Sequence, residues 1–322
     1  MDALSDVVAA MRTGQPHSAR THKRAPWAAR HPRFAGAGFH VVLQGTCWLI
    51  PPDGTPVALG VGDVVFLPHG SEHGLADAPS ATIAEGAWTS LAQIRPEPEQ
   101  PPIDGQGDTS GADASTSTVL LCGAYLCDRD RPHPLLADLP TVIHLPARLG
   151  RHPQLRAAVD LLASELERPG PGSDAVVPGL LDVLLLYILR AWLADQAAHQ
   201  PATGWTAALA DPAISAALRA IHQQPARPWT VQALGAQAGL SRAAFARRFT
   251  SLVGQPPLAY LTWWRMTLAA RLLRTSDAPL DAVAKQVGYA SAFAFAHAFK
   301  RAYATPPGTY RHQHSRETVQ GR

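Results

Sequence analysis

The chain has 322 residues, 46% of them hydrophobic and 16% charged, with a mean hydropathy of −0.05. That leaves room for about two domains with real cores, and it excludes a disordered chain or a small disulfide scaffold. The net charge of +3 hides a division: residues 205–322 hold 14 basic and 4 acidic side chains, net +10, whereas residues 1–204 are net −7. A polyanionic partner is therefore expected for the basic third alone.

Three cysteines, Cys47, Cys122 and Cys127, cannot all pair within one chain and fit a reducing compartment. The N-terminal MDALSDVVAAMRTGQP has no basic segment followed by an apolar one, so no signal peptide is read. The most apolar run, residues 180–193, contains Asp182 and Arg190 and is too short to span a bilayer. A cytoplasmic protein without a membrane partner is expected.

In chain order, residues 36–94 read as β structure. Short apolar runs at 39–43, 47–50, 57–59, 64–67 and 81–84 are cut by turn signals at Gly45, Pro51-Pro52-Asp53-Gly54 and residues 60–63. Such spacing suits a small antiparallel barrel or sandwich. Residues 95–118, rich in Pro, Gly, Ser and acid, read as a disordered loop. Strands resume at 119–126 and 142–145, so the loop interrupts a domain that runs from 1 to 149.

From residue 150 to 195 the pattern is helical. Leu155, Val159, Leu162 and Leu166 fall on one stripe, and residues 177–194 form a second, more apolar helix. Core packing and a helix-to-helix homodimer seam both explain its composition. Residues 196–210 read as a linker.

Residues 211–313 open with Asp211-Pro212, a helix N-cap followed by proline at the first helical position. Two stretches then echo each other, VQALGAQAGLSRAAFARRF at 231–249 and DAVAKQVGYASAFAFAHAF at 281–299. Ser241, Phe245 and Phe249 correspond to Ser291, Phe295 and Phe299. Each unit (230–250 and 280–302) offers a short helix, a glycine turn (Gly239, Gly288), a serine cap and a helix with aromatics at i and i+4. The small residues Gly235 and Ala284 allow a close helix crossing, which are the requirements of a helix-turn-helix. A generic helical hairpin shares the serine cap, but two units within a +10 segment favour duplex DNA. Between them, residues 257–275 read as one helix of about 27 Å, a length that sets two reading helices near successive major grooves.

Ser241…Phe249, Gly254-Gln-Pro-Pro, Tyr260-Leu, Arg265, Val283-Ala-Lys-Gln-Val-Gly-Tyr289, Phe295, Ala298-Phe-Lys-Arg301 and Pro306-Pro-Gly-Thr-Tyr-Arg311 resemble the DNA-binding domain of AraC/XylS-type transcription regulators. The resemblance implies that residues 241–250 and 291–302 are recognition helices. Base contacts would then come from Arg242, Ala243, Ala246 and Arg247 in the first and from Ala292, Phe293 and His297 in the second. Arg247 is the candidate for a bidentate contact to guanine. His297 stands where the family usually carries arginine, so the second helix is expected to read thymine methyls and shape, or to contribute mainly backbone contacts. Arg248, Lys300 and Arg301 are candidate phosphate clamps, with solvated surface charge as the alternative. The four phenylalanines are core.

The segment Gly62-x5-Pro68-x-Gly70-x2-His73-x3-Asp77 is similar to the second motif of cupins, with Asp in place of the final Asn. Residues 1–149 resemble the cupin-like effector half of one branch of these regulators. Metal-dependent cupins add a H-x-H-x3,4-E motif, which is absent; His31 alone precedes FHVVLQGTCWL. His40, Trp48, His69, Glu72 and His73 are candidates for an effector pocket. A metal site from His40, His69 and His73 is conceivable, with Glu72 or Asp77 adding oxygen, but polar residues around a barrel mouth explain the same pattern and no cofactor is expected. Cys47, Cys122 and Cys127 are redox candidates, with buried structural thiols as the alternative. Residues five apart on a strand, such as Cys122 and Cys127, face opposite ways.

The fold expected is multidomain α+β: a cupin-like β-barrel, a helical dimerisation segment and an all-α domain with two helix-turn-helix units. The expected role is a transcription regulator, an activator rather than an enzyme, acting on double-stranded DNA and RNA polymerase and answering to a small effector or oxidant. A cupin-type metal-dependent enzyme or metal-binding protein is the alternative.

Overall fold

A computed structural model describes residues 3–11, 16–79, 117–127, 133–199 and 203–320. These residues divide into two units, one holding 16–79, 117–127 and 139–195, the other 3–11, 133–138, 196–199 and 203–320. The expected strand at 81–84 and all but the last two residues of the expected loop 95–118 lie outside the described residues.

In the first unit the strands form two antiparallel sheets. The larger has the order β1 (His17–Arg24), β8 (Ser117–Leu126), β3 (Gly36–Gln44), β6 (Val64–Leu67) and β9 (Ile143–Leu145). The smaller has the order β2 (Ala28–His31), β7 (His73–Ala76), β4 (Cys47–Ile50) and β5 (Val57–Leu59). The two sheets are not closed on each other, which corrects the expected barrel to an open two-sheet arrangement. β3 is buried on both faces, so its sequence reads as a largely apolar run rather than an alternation. One face carries His40 and Val42 into a core shared with Leu49, Leu59 and Leu75 of the smaller sheet and with Leu120 and Cys122 of β8. The other face carries Phe39, whose ring lies 5.8 Å from that of Tyr125.

Gly70 closes the turn after β6 at φ +55°, and a Cβ there would fall 2.5 Å from the Phe34 carbonyl oxygen. Only glycine fits, which gives the Pro68-x-Gly70 pattern its physical reason. Two helices complete this unit. In α3 (Pro153–Glu167) the residues Leu155, Val159 and Leu162 are buried, as their spacing predicts. The next helix, α4 (Ser173–His199), is longer than the apolar run suggests, at 27 residues. At 1.5 Å per residue it reaches about 40 Å, enough by length and composition to cross a bilayer. Leu181, Leu184, Leu185 and Ile188 are nevertheless buried as one stripe, and the Tyr125 hydroxyl donates to the Leu181 carbonyl at 2.7 Å.

The second unit begins with a helix that the sequence reading did not anticipate, α1 (Ala3–Met11), whose Ala3, Leu4, Val7 and Val8 are buried. It groups with a short helix, α2 (Pro134–Ala137), and with the C-terminal helices. The expected linker at 196–210 is also corrected. Residues 196–199 continue α4, and Gly204–Ala210 form α5, anchored by buried Trp205 and Ala208.

The next helices follow the sequence closely: α6 (Pro212–Gln223), α7 (Val231–Gln237), α8 (Arg242–Val253), α9 (Pro257–Thr275), α10 (Leu280–Gln286) and α11 (Ala292–Tyr303); a further helix, α12 (Pro307–Gln320), comes after them. Asp211 caps α6 by accepting from the backbone nitrogens of Ala213 and Ile214, each at 3.0 Å. Such a cap is worth about 1 kcal/mol. Thr230, Ser241 and Ser291 cap α7, α8 and α11 in the same way.

Candidate functional site

The helix-turn-helix geometry is built twice from the same parts. In the first unit Gly235 on α7 sits so close to α8 that an added Cβ would lie 3.0 Å from the Leu240 carbonyl oxygen and 3.3 Å from the Phe245 Cβ. The Leu240 nitrogen donates to the Gly235 carbonyl and closes the turn. Phe245 and Phe249 are fully buried and 5.5 Å apart. In the second unit Phe295 and Phe299 repeat the pair at 5.6 Å. They join Met266, Leu273, Val283 and Tyr310 in one core. Burying these rings fixes which faces of α8 and α11 turn outward.

On α8 the outward residues are Arg242, Ala243 and Arg247, with Ala246 half-buried. On α11 they are Phe293, Ala294, His297, Lys300 and Arg301, with Ala292 half-buried. Phe293 is 84% exposed at the start of its helix, an apolar ring presented to solvent. Arg248, the expected phosphate clamp on α8, is exposed and also has a partner within the chain. It is held by the Asp211 carboxylate, Nε at 2.6 Å and Nη2 at 2.5 Å, and so braces α8 against the N-terminus of α6.

The 19-residue α9 separates the two units and is about 28 Å long. Arg265 on it donates to the carbonyls of Pro225 (2.7 Å) and Arg227 (2.9 Å), which ties α9 to the loop before α7. Next to this clamp Gly288 adopts φ +81°, and a Cβ there would fall 2.8 Å from both Ala226 Cα and Arg265 Nη2. At the other end of α9, the Tyr260 hydroxyl meets His222 Nε2 at 2.7 Å and His133 Nε2 at 3.3 Å. His133 Nδ1 accepts from the Leu135 nitrogen, so its Nε2 carries the proton and donates to Tyr260. His222 Nδ1 faces Asp6 of α1 at 3.6 Å. Burial holds His133 well below the usual imidazole range, helped by the neighbouring His222. Burial lowers His222 as well, although Asp6 opposes the shift.

The five residues expected to form an effector pocket are not all brought together. His40 and His73 meet inside the sheet core. Trp48 alternates with Cys47 and Leu49, which belong to that core, so it points to the opposite face of the smaller sheet. His69 Nε2 bonds the Leu139 carbonyl oxygen at 2.9 Å. Glu72 is engaged by Arg30, whose Nε lies 2.8 Å from its Oε1. Asp77 accepts from the Trp27 nitrogen at 3.2 Å.

The partner that sequence reasoning did not select is His31. It pairs directly across from His73 in the β2–β7 register, and His40 approaches both from the larger sheet. One ring nitrogen from each of the three lies within 4.8 Å of the others. His40 Nε2 meets His73 Nε2 at 2.7 Å, and His40 Nδ1 meets Cys122 Sγ at 2.9 Å. Burial lowers His73 to about 4 and His40 well below its usual range. The only signal for His31 is its position before FHVVLQGTCWL.

None of the three cysteines is in a disulfide. Burial pushes Cys47 and Cys122 each up to about 12, which leaves little of the thiolate that oxidants attack. Cys127 follows the end of β8, half-buried, with its sulfur 3.7 Å from the Tyr125 carbonyl oxygen.

A cupin family model matches residues 2–194, and a helix-turn-helix domain model matches residues 234–313. The chain is 35% identical to a putative AraC-like transcription regulator of Streptomyces lividans, over 97% of this chain and 98% of that one. It is 31% identical to the HTH-type transcriptional regulator AlkR of Acinetobacter baylyi, over 97% of this chain and all of that one. It is 28% identical to RclR of Escherichia coli, an RCS-specific HTH-type transcriptional activator, over 85% and 83% of the two chains.

Proposed function

This chain belongs to the AraC-type DNA-binding transcription regulators with a cupin domain ahead of the helix-turn-helix domain, and we propose that it is an activator that reads about two turns of duplex with α8 and α11. The observation that carries the DNA-reading proposal is the duplication itself. Two serine-capped helices, each anchored by a buried phenylalanine pair, present their outward faces from either end of α9. Their surroundings are strongly basic, as a phosphate backbone requires.

Within this reading Arg247 binds a guanine edge, and Arg242, Ala243 and Ala246 shape the same groove. Phe293 packs on thymine methyls with Ala292, and His297 adds a single hydrogen bond. Lys300 and Arg301 hold phosphates. Activation implies a contact with RNA polymerase in the cytoplasm, and the activator named among the relatives supports that direction. The cupin domain acts as sensor for a small effector rather than as an enzyme. Leu161, Val176 and Val183, exposed on α3 and α4, offer an apolar face for a homodimer.

Footprinting of the full chain on genomic DNA tests the DNA reading. Two protected major-groove segments one helical turn apart, in a site of about 20 base pairs, are expected. Protection without sequence preference, or of one segment alone, counts against a two-helix reader.

A further inference from the structure

Three imidazoles in the core between two sheets are an expensive arrangement. His31, His40 and His73 are 4%, 1% and 3% exposed, and each carries a polar ring among Leu, Val and Cys side chains. Burying polar groups is favourable only where every one finds a partner. Here the partners are partly each other.

We propose that His31, His40 and His73 form a binding site for a divalent first-row transition metal ion, with Cys122 as the outer partner of His40. Imidazole nitrogens suit zinc, copper, iron and nickel, and three of them with one open position make a complete first coordination set. The site does not use the H-x-H-x3,4-E segment of metal-dependent cupins, which this chain lacks; His73 alone stands where the second cupin motif puts a histidine.

Hydrogen bonding at two of the ligands prepares them. His73 Nδ1 bonds the Ser71 carbonyl oxygen at 2.8 Å, so its proton is on Nδ1 and the Nε2 lone pair points at His40. In the metal-free core a His40 Nε2 proton fills the 2.7 Å gap between the two Nε2 atoms. An ion bonded to both at about 2.0–2.1 Å holds them about 3.3 Å apart in a tetrahedron, so small ring rotations admit it once the His40 proton sits on Nδ1, against Cys122 Sγ. Cys122 Sγ lies against His40 Nδ1, on the other side of the ring from His73. It therefore orients His40 and does not reach the ion. His31 and His73 belong to the smaller sheet and His40 to the larger, so the ion would tie the two sheets together.

The test uses the full chain, stripped with a chelator and titrated with Zn2+ by calorimetry and with Co2+ by visible spectroscopy. One ion per chain and a tetrahedral cobalt spectrum are expected. His40→Ala and His73→Ala should abolish binding, and Cys122→Ser should weaken it about 10-fold, as the loss of an outer partner does. His69→Ala, outside the cluster, should bind as the parent does. If a variant fails to fold, X-ray absorption of the zinc-loaded parent decides: an imidazole-rich shell supports the site, and a shell without imidazole overturns it. Substoichiometric zinc, or folded His40 and His73 variants that bind like the parent, also overturns it. These readouts measure binding and not transcription, so they stand or fall apart from the DNA-reading proposal.

Discussion

Replacing Asp211 by alanine separates two roles that the structure gives one carboxylate. Its Oδ1 caps α6 through the nitrogens of Ala213 and Ile214, and its Oδ2 holds Arg248. Loss of the cap costs about 1 kcal/mol, within a range of about 0.5–2. The ion pair adds about 0.5 kcal/mol or less, because the Arg248 side chain is 53% exposed and water screens it. The sum, about 1.5 kcal/mol, corresponds to roughly tenfold faster amide exchange where α6 opens locally. Hydrogen exchange at Ile214 measures it in the full chain without assuming a single unfolding transition. Asp211→Asn keeps the capping oxygen and loses the charge, so it should cost about a third as much. Equal effects of the two substitutions would show that the charge, not the cap, matters. Arg248→Ala supplies the complement: as a brace it leaves the salt dependence of DNA binding unchanged. A drop of about 0.9 in the slope of log K against log salt would make it a phosphate clamp.

Other outcomes follow from the same geometry. Arg247→Ala should lower discrimination at one base position by about 1–3 kcal/mol in a binding selection, and unchanged preference at every position would remove it as a reader. Gly288→Ala should destabilise the helical unit by about 2–4 kcal/mol, since a left-handed φ and a 2.8 Å approach to Ala226 both oppose a Cβ; a thermal midpoint equal to the parent's would contradict the close approach. His133 and His222 are held neutral by burial, so the unfolded chain binds more protons below its imidazole pKa. Their contribution is therefore complete above about pH 6.5 and is lost as the pH falls below it. Imidazole resonances of these two that titrate at or above the ordinary value would reverse that sign.

The helical third was legible because its signals are local. Serine caps, glycine turns and phenylalanines at i and i+4 are set within one or two turns of chain, and α9 begins and ends where its sequence pattern does. Elsewhere the local signal was missing. β1 reads HSARTHKR and is exposed or half-exposed along most of its length; it is a strand because β8 pairs with it from Ala124 to Ser117. The first helix, α1, carries an apolar stripe at Ala3, Leu4, Val7 and Val8, but nothing in nine residues says that it packs with helices two hundred positions away. The segment at 204–210 resembled a linker by composition, and Trp205 and Ala208, both buried, make it part of a core.

The histidine cluster shows where motif logic stops. The Pro68-x-Gly70 turn and His73 were readable because a tight turn needs glycine and the next strand starts at a fixed offset. His69 looked equivalent to His73 by proximity, yet it precedes the turn glycine and bonds a backbone carbonyl, whereas His73 opens β7 and points into the core. Choosing His31 in its place requires the β2–β7 register, and β2, with AARH, has no alternation from which register can be read. For His40, on a strand buried on both faces, only the partner across the gap tells which face the side chain serves. Its contacts with Cys122 within one sheet and His73 of the other identify that face, and they turn three scattered histidines into one chemical group.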